Sequence, residues 1–98
     1  MIQIIALLYA SENEIEGLRE FESKVIPILR EHEGKLISAS SNEDKTLNEP
    51  DEIHVIQFPS IEEFNAYKID LRVVELSSLK SKMIKKADVY ITNNFYQY

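Results

Sequence analysis

The sequence predicts one α+β domain with element order β-α-β-β-α-β, folded as a four-stranded antiparallel sheet carrying its helices on one face. Three observations predict it. Short β-branched and aliphatic runs alternate with segments whose apolar positions recur every three or four residues, the two periods that separate strands from helices. Turn-forming residues punctuate the junctions: Gly34, a 41–52 stretch rich in Asn, Asp and Glu, and Pro59. With 98 residues, 44% of them hydrophobic, the chain has enough apolar material for one core and not for two.

Residues 2–9 are apolar on both alternating faces, with Gln3 the exception. A strand of that kind is covered on both sides, so it belongs at the centre of the sheet. Ser11 and Glu14 have capping-box spacing. Ile15, Leu18, Phe21, Val25, Ile28 and Leu29 then form one buried helical stripe, while Glu16, Arg19, Glu20, Glu22, Lys24 and Arg30 fill most of the other side. Pro27 removes an amide and crowds the Ser23 carbonyl, which predicts a kink or a broken last turn. Gly34 is expected to supply the left-handed stop.

Residues 35–40 form a more polar second strand, suited to an edge, and 41–52 a solvated, mobile hairpin loop. The third strand, 53–58, ends at Pro59. Ser60 and Glu63 make a second capping box, and Ile61, Phe64 and Tyr67 carry the apolar points of the helix it opens. The period slips between Ile69 and Val74, then resumes at Leu76, Leu79 and Met83. Two helical pieces with a bend near Asp70 are therefore expected. Lys80, Lys82, Lys85 and Lys86 complement the dipole of the second piece, and Ala87, Val89 and Ile91 mark the fourth strand. Residues 1–92 form the domain. Residues 93–98 are an aromatic tail expected to pack, most naturally on a partner subunit.

Right-handed crossovers place strands 1 and 3 together at the centre, which is the ferredoxin-like arrangement. The helices then cover one face, yet strand 1 is apolar on both. A second copy of the chain is the simplest cover, so a homodimer is expected.

Charge narrows the function. Eleven basic against 17 acidic residues give net −6, a poor match to a phosphate backbone, and no nucleic-acid partner is expected. The absence of cysteine removes thiol nucleophiles and thiolate metal sites. The apolar start has no basic region before it and spans about ten residues, where ~20 are needed to cross a bilayer. A cytoplasmic protein with no membrane partner is expected.

The run Ile56-Gln57-Phe58-Pro59-Ser60-Ile61-Glu62-Glu63 resembles the strand-Phe-Pro-Ser-helix signature of a small uncharacterised bacterial family. That family belongs to the dimeric α/β-barrel superfamily, which also holds antibiotic-biosynthesis monooxygenases, haem-degrading monooxygenases and small isomerases. The resemblance covers residues 2–92. Glu33-Gly34 stands where the family has Gly-Gly, Asp70-Leu71-Arg72-Val73 where it has Ser-Pro-x-Tyr, and Lys80 where it has arginine. The resemblance implies a dimeric α/β barrel.

Three functions follow as expectations. The first is a homodimer that binds a small organic molecule. The second is a cofactor-independent monooxygenase or isomerase, in which the substrate supplies the carbanion and the protein a base and a dry pocket. The third is a non-catalytic dimerisation module. His54 is the candidate base, because an imidazole titrates near neutral pH, and Tyr9 the candidate hydrogen-bond donor at the same end of the sheet, with Asp88 and Tyr90 brought towards it. Tyr67 and Arg72 are the candidate ligand contacts, Arg72 as a guanidinium clamp at the helix bend. His32 beside Glu31 and Glu33 invites a metal reading, but consecutive helical residues point apart and two histidines without cysteine are a weak ligand set. No metal and no cofactor are expected.

Overall fold

The structure, a computed structural model, describes residues 1–93 and 96; the expectation for the tail falls mainly on Phe95 and Tyr98, which lie outside them. The chain forms β1 (Ile2–Ala10), α1 (Ile15–Glu31), β2 (Lys35–Ser41), β3 (Glu52–Phe58), α2 (Ile61–Ile69), α3 (Leu71–Met83) and β4 (Ile84–Thr92). The sheet order is β2-β3-β1-β4 with every neighbour antiparallel, so the strand apolar on both faces is central, as its composition requires. The fold is ferredoxin-like. Among the described residues no helix is long and apolar enough to cross a membrane.

The even positions of β1 face the helices. Ile2, Ile4 and Ala6 are buried there, against Leu18, Phe21, Val25, Ile28 and Leu29 on the inward stripe of α1. Two apolar groups build this layer. Ile2, Ile4, Leu29, Phe58 and Phe64 form one, and Phe21, Val25 and Met83 the other, with Tyr67 packed against both. The odd positions, Ile5 and Leu7, lie on the opposite face beside Val55 and Ile53 of β3 and are half-buried.

Several local expectations change in the structure. Ser11 does not cap α1: its amide donates to the Met83 carbonyl and its carbonyl accepts from Glu14, so a turn through Asn13 (φ 62°) precedes a helix capped at Glu14. Pro27 lies within a helix that continues to Glu31. At Ser60 the hydroxyl donates to the Glu63 carboxylate instead of accepting from the helix amides. The hairpin loop is exposed but held: the Asn42 amide donates to the Asp51 carbonyl, the Asp51 amide to the Leu8 carbonyl, and the Asp51 carboxylate accepts from the Ala10 amide.

The end of α1 is the most instructive difference. The left-handed residue is Glu33 (φ 66°), not Gly34. The Glu33 amide donates to the Arg30 carbonyl and the Gly34 amide to the Leu29 carbonyl, a Schellman ending with a non-glycine at its strained position. Gly34 is needed for a different reason. A Cβ there would sit 2.6 Å from Leu29 Cδ2 and 2.8 Å from the Leu29 carbonyl oxygen.

The two adjacent positions should therefore respond in opposite directions. Relief of the left-handed strain makes Glu33→Gly stabilising by about 0.5–1 kcal/mol after the extra unfolded-state freedom of glycine. Gly34→Ala should cost about 1–3 kcal/mol through overpacking on Leu29. Thermal melts of the two single variants, moving to either side of the parent, check both.

Candidate functional site

Between the helix layer and the sheet lies a cavity of about 670 Å³. Its walls are the helix-facing sides of the strands (Ile4 and Ala6 from β1, Ile56 from β3) and the inward faces of the helices, chiefly Phe21, Val25 and Tyr67. Its mouth lies between α3 and β4, where Val74, Lys80, Val89 and Ile91 line it and remain exposed. This size and apolar character suit a small organic molecule.

One polar cluster interrupts the walls. Glu52 and His54 are two residues apart on β3 and share its helix-facing side. They are the buried polar side chains among the described residues, 5% and 6% exposed. His54 pairs with Ala6 on one side and Ala39 on the other, and these small neighbours leave room for the imidazole. Glu22 comes down from α1, four residues after Leu18 and three before Val25, on the stripe that faces the sheet. His54 Nε2 lies 3.0 Å from Glu52 Oε1 and 3.2 Å from Glu22 Oε2. Arg19 Nε is 3.4 Å from the other oxygen of Glu52. Glu22 and His54 line the cavity.

The protonation of this cluster follows from its surroundings. Burial opposes charge on His54, but hydrogen bonding to Glu22 and Glu52 outweighs it and raises its pKa. Burial also opposes charge on Glu22, and hydrogen bonds with His54 and Glu52 overcome it and lower its pKa. Glu52 moves the other way, raised by burial and by the neighbouring Glu22 carboxylate. Two carboxylates this close do not ionise independently. The arrangement can give or take a proton at the wall of an apolar chamber.

The other expected site residues are dispersed. Tyr9 pairs with Lys86 on the opposite face of the sheet from His54, because it is an odd position of β1. It lines a smaller pocket of about 430 Å³ with the 45–49 loop, Lys85 and Lys86, and the Lys86 ammonium lies 4.9 Å from its ring centre. Asp88 and Tyr90 pair with Leu7 and Ile5 and share that outer face. Tyr67 does line the cavity with His54, and burial pushes its phenol up to about 12, so it stays protonated.

Arg72 does not reach the cavity. Its guanidinium spans Glu31 Oε2 at 2.9 Å and Asp70 Oδ2 at 2.9 Å on the surface, while Asp70 caps α3 through the Arg72 amide at 2.9 Å. His32 Nε2 completes this group at 2.8 Å from Asp70. His32 is thus engaged by Asp70 across the α2–α3 bend.

The sequence patterning does not place Glu22 and Glu52 here: one reads with the charged side of its helix and the other falls at the end of the 41–52 loop. Both left a signal. Glu22 falls at i+4 from Leu18 within the apolar stripe, and Glu52 at i−2 from His54 on one strand face.

No family model and no curated protein matches the chain. Solved structures do. A protein of unknown function from Rhodopseudomonas palustris superposes with a TM-score of 0.79 at 15% identity, covering 98% of this chain and 83% of its own. An uncharacterised NIPSNAP domain protein from Burkholderia xenovorans gives 0.76 at 9% identity, over 97% and 95%. A candidate antibiotic biosynthesis monooxygenase from Nitrosomonas europaea gives 0.75 at 11% identity, over 98% and 100%. The likeness is one of fold.

Asp70 generates a pH prediction. Hydrogen bonds from the Arg72 side chain, His32 and the Arg72 amide hold its carboxyl well below the usual carboxylate range. A folded pKa below the unfolded 3.8 stabilises the native state above that pH, and the contribution is lost as pH falls through the folded value. Asp70→Asn should lower the melting temperature at pH 7, and the gap from the parent should narrow as pH drops below 3.8. Paired melts from pH 7 downward check this; a gap constant with pH contradicts it.

Proposed function

We propose that this chain is a homodimeric binding protein for a small, largely apolar organic molecule, held in the cavity between helices and sheet. The observation that carries the reading is the cavity itself: apolar walls with a single buried ionisable cluster set into them. His54 and Glu22 orient the polar end of the ligand, and the Tyr67 hydroxyl is a further donor on the wall. Lys68 and Lys80 at the rim suit a ligand whose outer end is anionic.

The dimer rests on the other face of the sheet. Ile5, Leu7, Ile53 and Val55 line it with no helix above them among the described residues, and Tyr90 beside Ile5 is 56% exposed. Fully burying an exposed side chain of this kind contributes about 1.5–3 kcal/mol. Ile5, Leu7, Ile53 and Val55 are already half-buried, so each adds a part of that, and it is their sum that favours a second copy.

A second reading, a cofactor-independent monooxygenase or isomerase, has one observation in its favour. A carboxylate and an imidazole face the same largely apolar cavity, an arrangement suited to abstraction of a proton from a bound carbon acid. The name of the Nitrosomonas europaea neighbour points the same way. In that reading Glu22 and His54 act together, and Tyr9 serves only the outer face.

Two measurements test the leading reading. Light scattering should return twice 11.4 kDa for the parent and 11.4 kDa for Val55→Lys; a parent at 11.4 kDa removes the dimer. The fluorescent apolar anion 1-anilinonaphthalene-8-sulfonate should bind saturably, one per chain. Ala87→Phe, which fills the cavity from β4, should weaken it by about tenfold, or roughly 1.4 kcal/mol. Equal binding by that variant places the probe elsewhere.

A further inference from the structure

We propose that Glu22, Glu52 and His54 form a binding site for one divalent transition-metal ion at the wall of the cavity. The proposal deepens the reading of the cavity as a small-molecule site and names the ligand class. An organic molecule with oxygen donors would complete the shell of the ion.

Geometry comes first. A metal with ligands at about 2.1 Å and bond angles of about 90–109° keeps neighbouring donor atoms about 3.0–3.4 Å apart. His54 Nε2 lies 3.0 Å from Glu52 Oε1 and 3.2 Å from Glu22 Oε2, and the three donors all fall within 4.8 Å of one another. They come from two elements packed face to face, α1 and β3, so their spacing is set by the core and not by a loop.

Hydrogen-bond supply is the second argument. One imidazole N–H faces two carboxylate oxygens. It is directed at Glu52 Oε1, and Glu22 Oε2, fully buried 3.2 Å from the same nitrogen, has no well-aligned donor of its own. An unpaired buried acceptor is costly, and more so on a carboxylate. A cation between the three donors satisfies all of them at once. Two carboxylates with a dication are also neutral, which removes the penalty of burying like charges together.

The donor set chooses among cations. An imidazole with two carboxylates suits Mn²⁺, Fe²⁺, Co²⁺ or Zn²⁺, whereas Mg²⁺ and Ca²⁺ take oxygen ligands. Three protein donors leave positions open, as in catalytic rather than structural sites, and Glu22 and His54 both border the cavity. Arg19 on the far oxygen of Glu52 fixes that carboxylate from behind.

The test uses the full chain after chelator treatment, titrated with Co²⁺ and followed by calorimetry and visible absorption. One Co²⁺ per chain is expected, with a visible band from a nitrogen-containing shell. Glu22→Gln and Glu52→Gln should each weaken binding by about tenfold or more. His32→Gln, at the other histidine, should leave affinity unchanged. In the parent chain Zn²⁺ should shift the imidazole resonance of His54 and not that of His32, a readout that does not depend on any variant folding. No saturable binding at millimolar Co²⁺, parent-like affinity in Glu22→Gln, or binding that follows His32 overturns the proposal and leaves the cluster as a proton-sharing network. Anilinonaphthalene sulfonate binding by the metal-free chain separates the two readings. If the probe binds and Co²⁺ does not, the cavity stands and the metal falls; if Co²⁺ binds and Ala87→Phe leaves probe binding unchanged, the reverse holds.

Discussion

A central strand apolar on both faces constrains the rest of this structure. β1 lies between β3 and β4, with Ile2, Ile4 and Ala6 towards the helices and Ile5 and Leu7 away from them. On the first side α1 covers the strand with its buried stripe from Leu18 to Leu29. The remaining cover is incomplete, because Asp70 (φ −58°, ψ 130°) breaks the second helical segment. After the break α3 packs chiefly against α1 and touches β4 little, so Val89 and Ile91 stay exposed. The same residue that caps α3 therefore opens the mouth of the cavity.

The cavity and its cluster are both expensive for a domain of 98 residues. Unfilled apolar space forgoes dispersion contacts, and burying two carboxylates beside an imidazole forgoes hydration. Replacing Glu22, Glu52 and His54 by apolar residues of similar size would pack the region without either cost. That the chain holds these groups nine-tenths or nearly so buried, with alanines on both sides of the histidine, fits a site and not an optimised core.

Fold and function separate clearly in the comparisons. Neighbours at 9–15% identity share the layered architecture almost end to end, yet their names range from unknown function to a monooxygenase candidate. A scaffold shared that widely carries no chemistry of its own. In this chain the chemistry-bearing side chains enter the chamber between sheet and helices from two elements: one glutamate from α1 and a Glu-x-His pair from β3.

The sequence by itself determined the element order, the centrality of β1, the break at Asp70 and the stripe of α1, because each follows from a local period or a local backbone preference. It also offered His54 and Tyr67 as candidates, and both line the cavity. Only the tertiary structure decided which of them meet. Tyr9 and His54 belong to neighbouring strands, but strand side chains alternate, so the register that pairs His54 with Ala6 sends Tyr9 to the far face. Glu22 reads as a surface charge until the helix is laid on the sheet and its i+4 relation to Leu18 becomes a direction into the cavity. Glu33 and Gly34 exchange roles for a similar reason, since the need for glycine arises from Leu29 folding back over the chain and not from the left-handed turn alone. Local periodicity fixes elements, but a site is a convergence of side chains from separate elements, and that is set by register and packing.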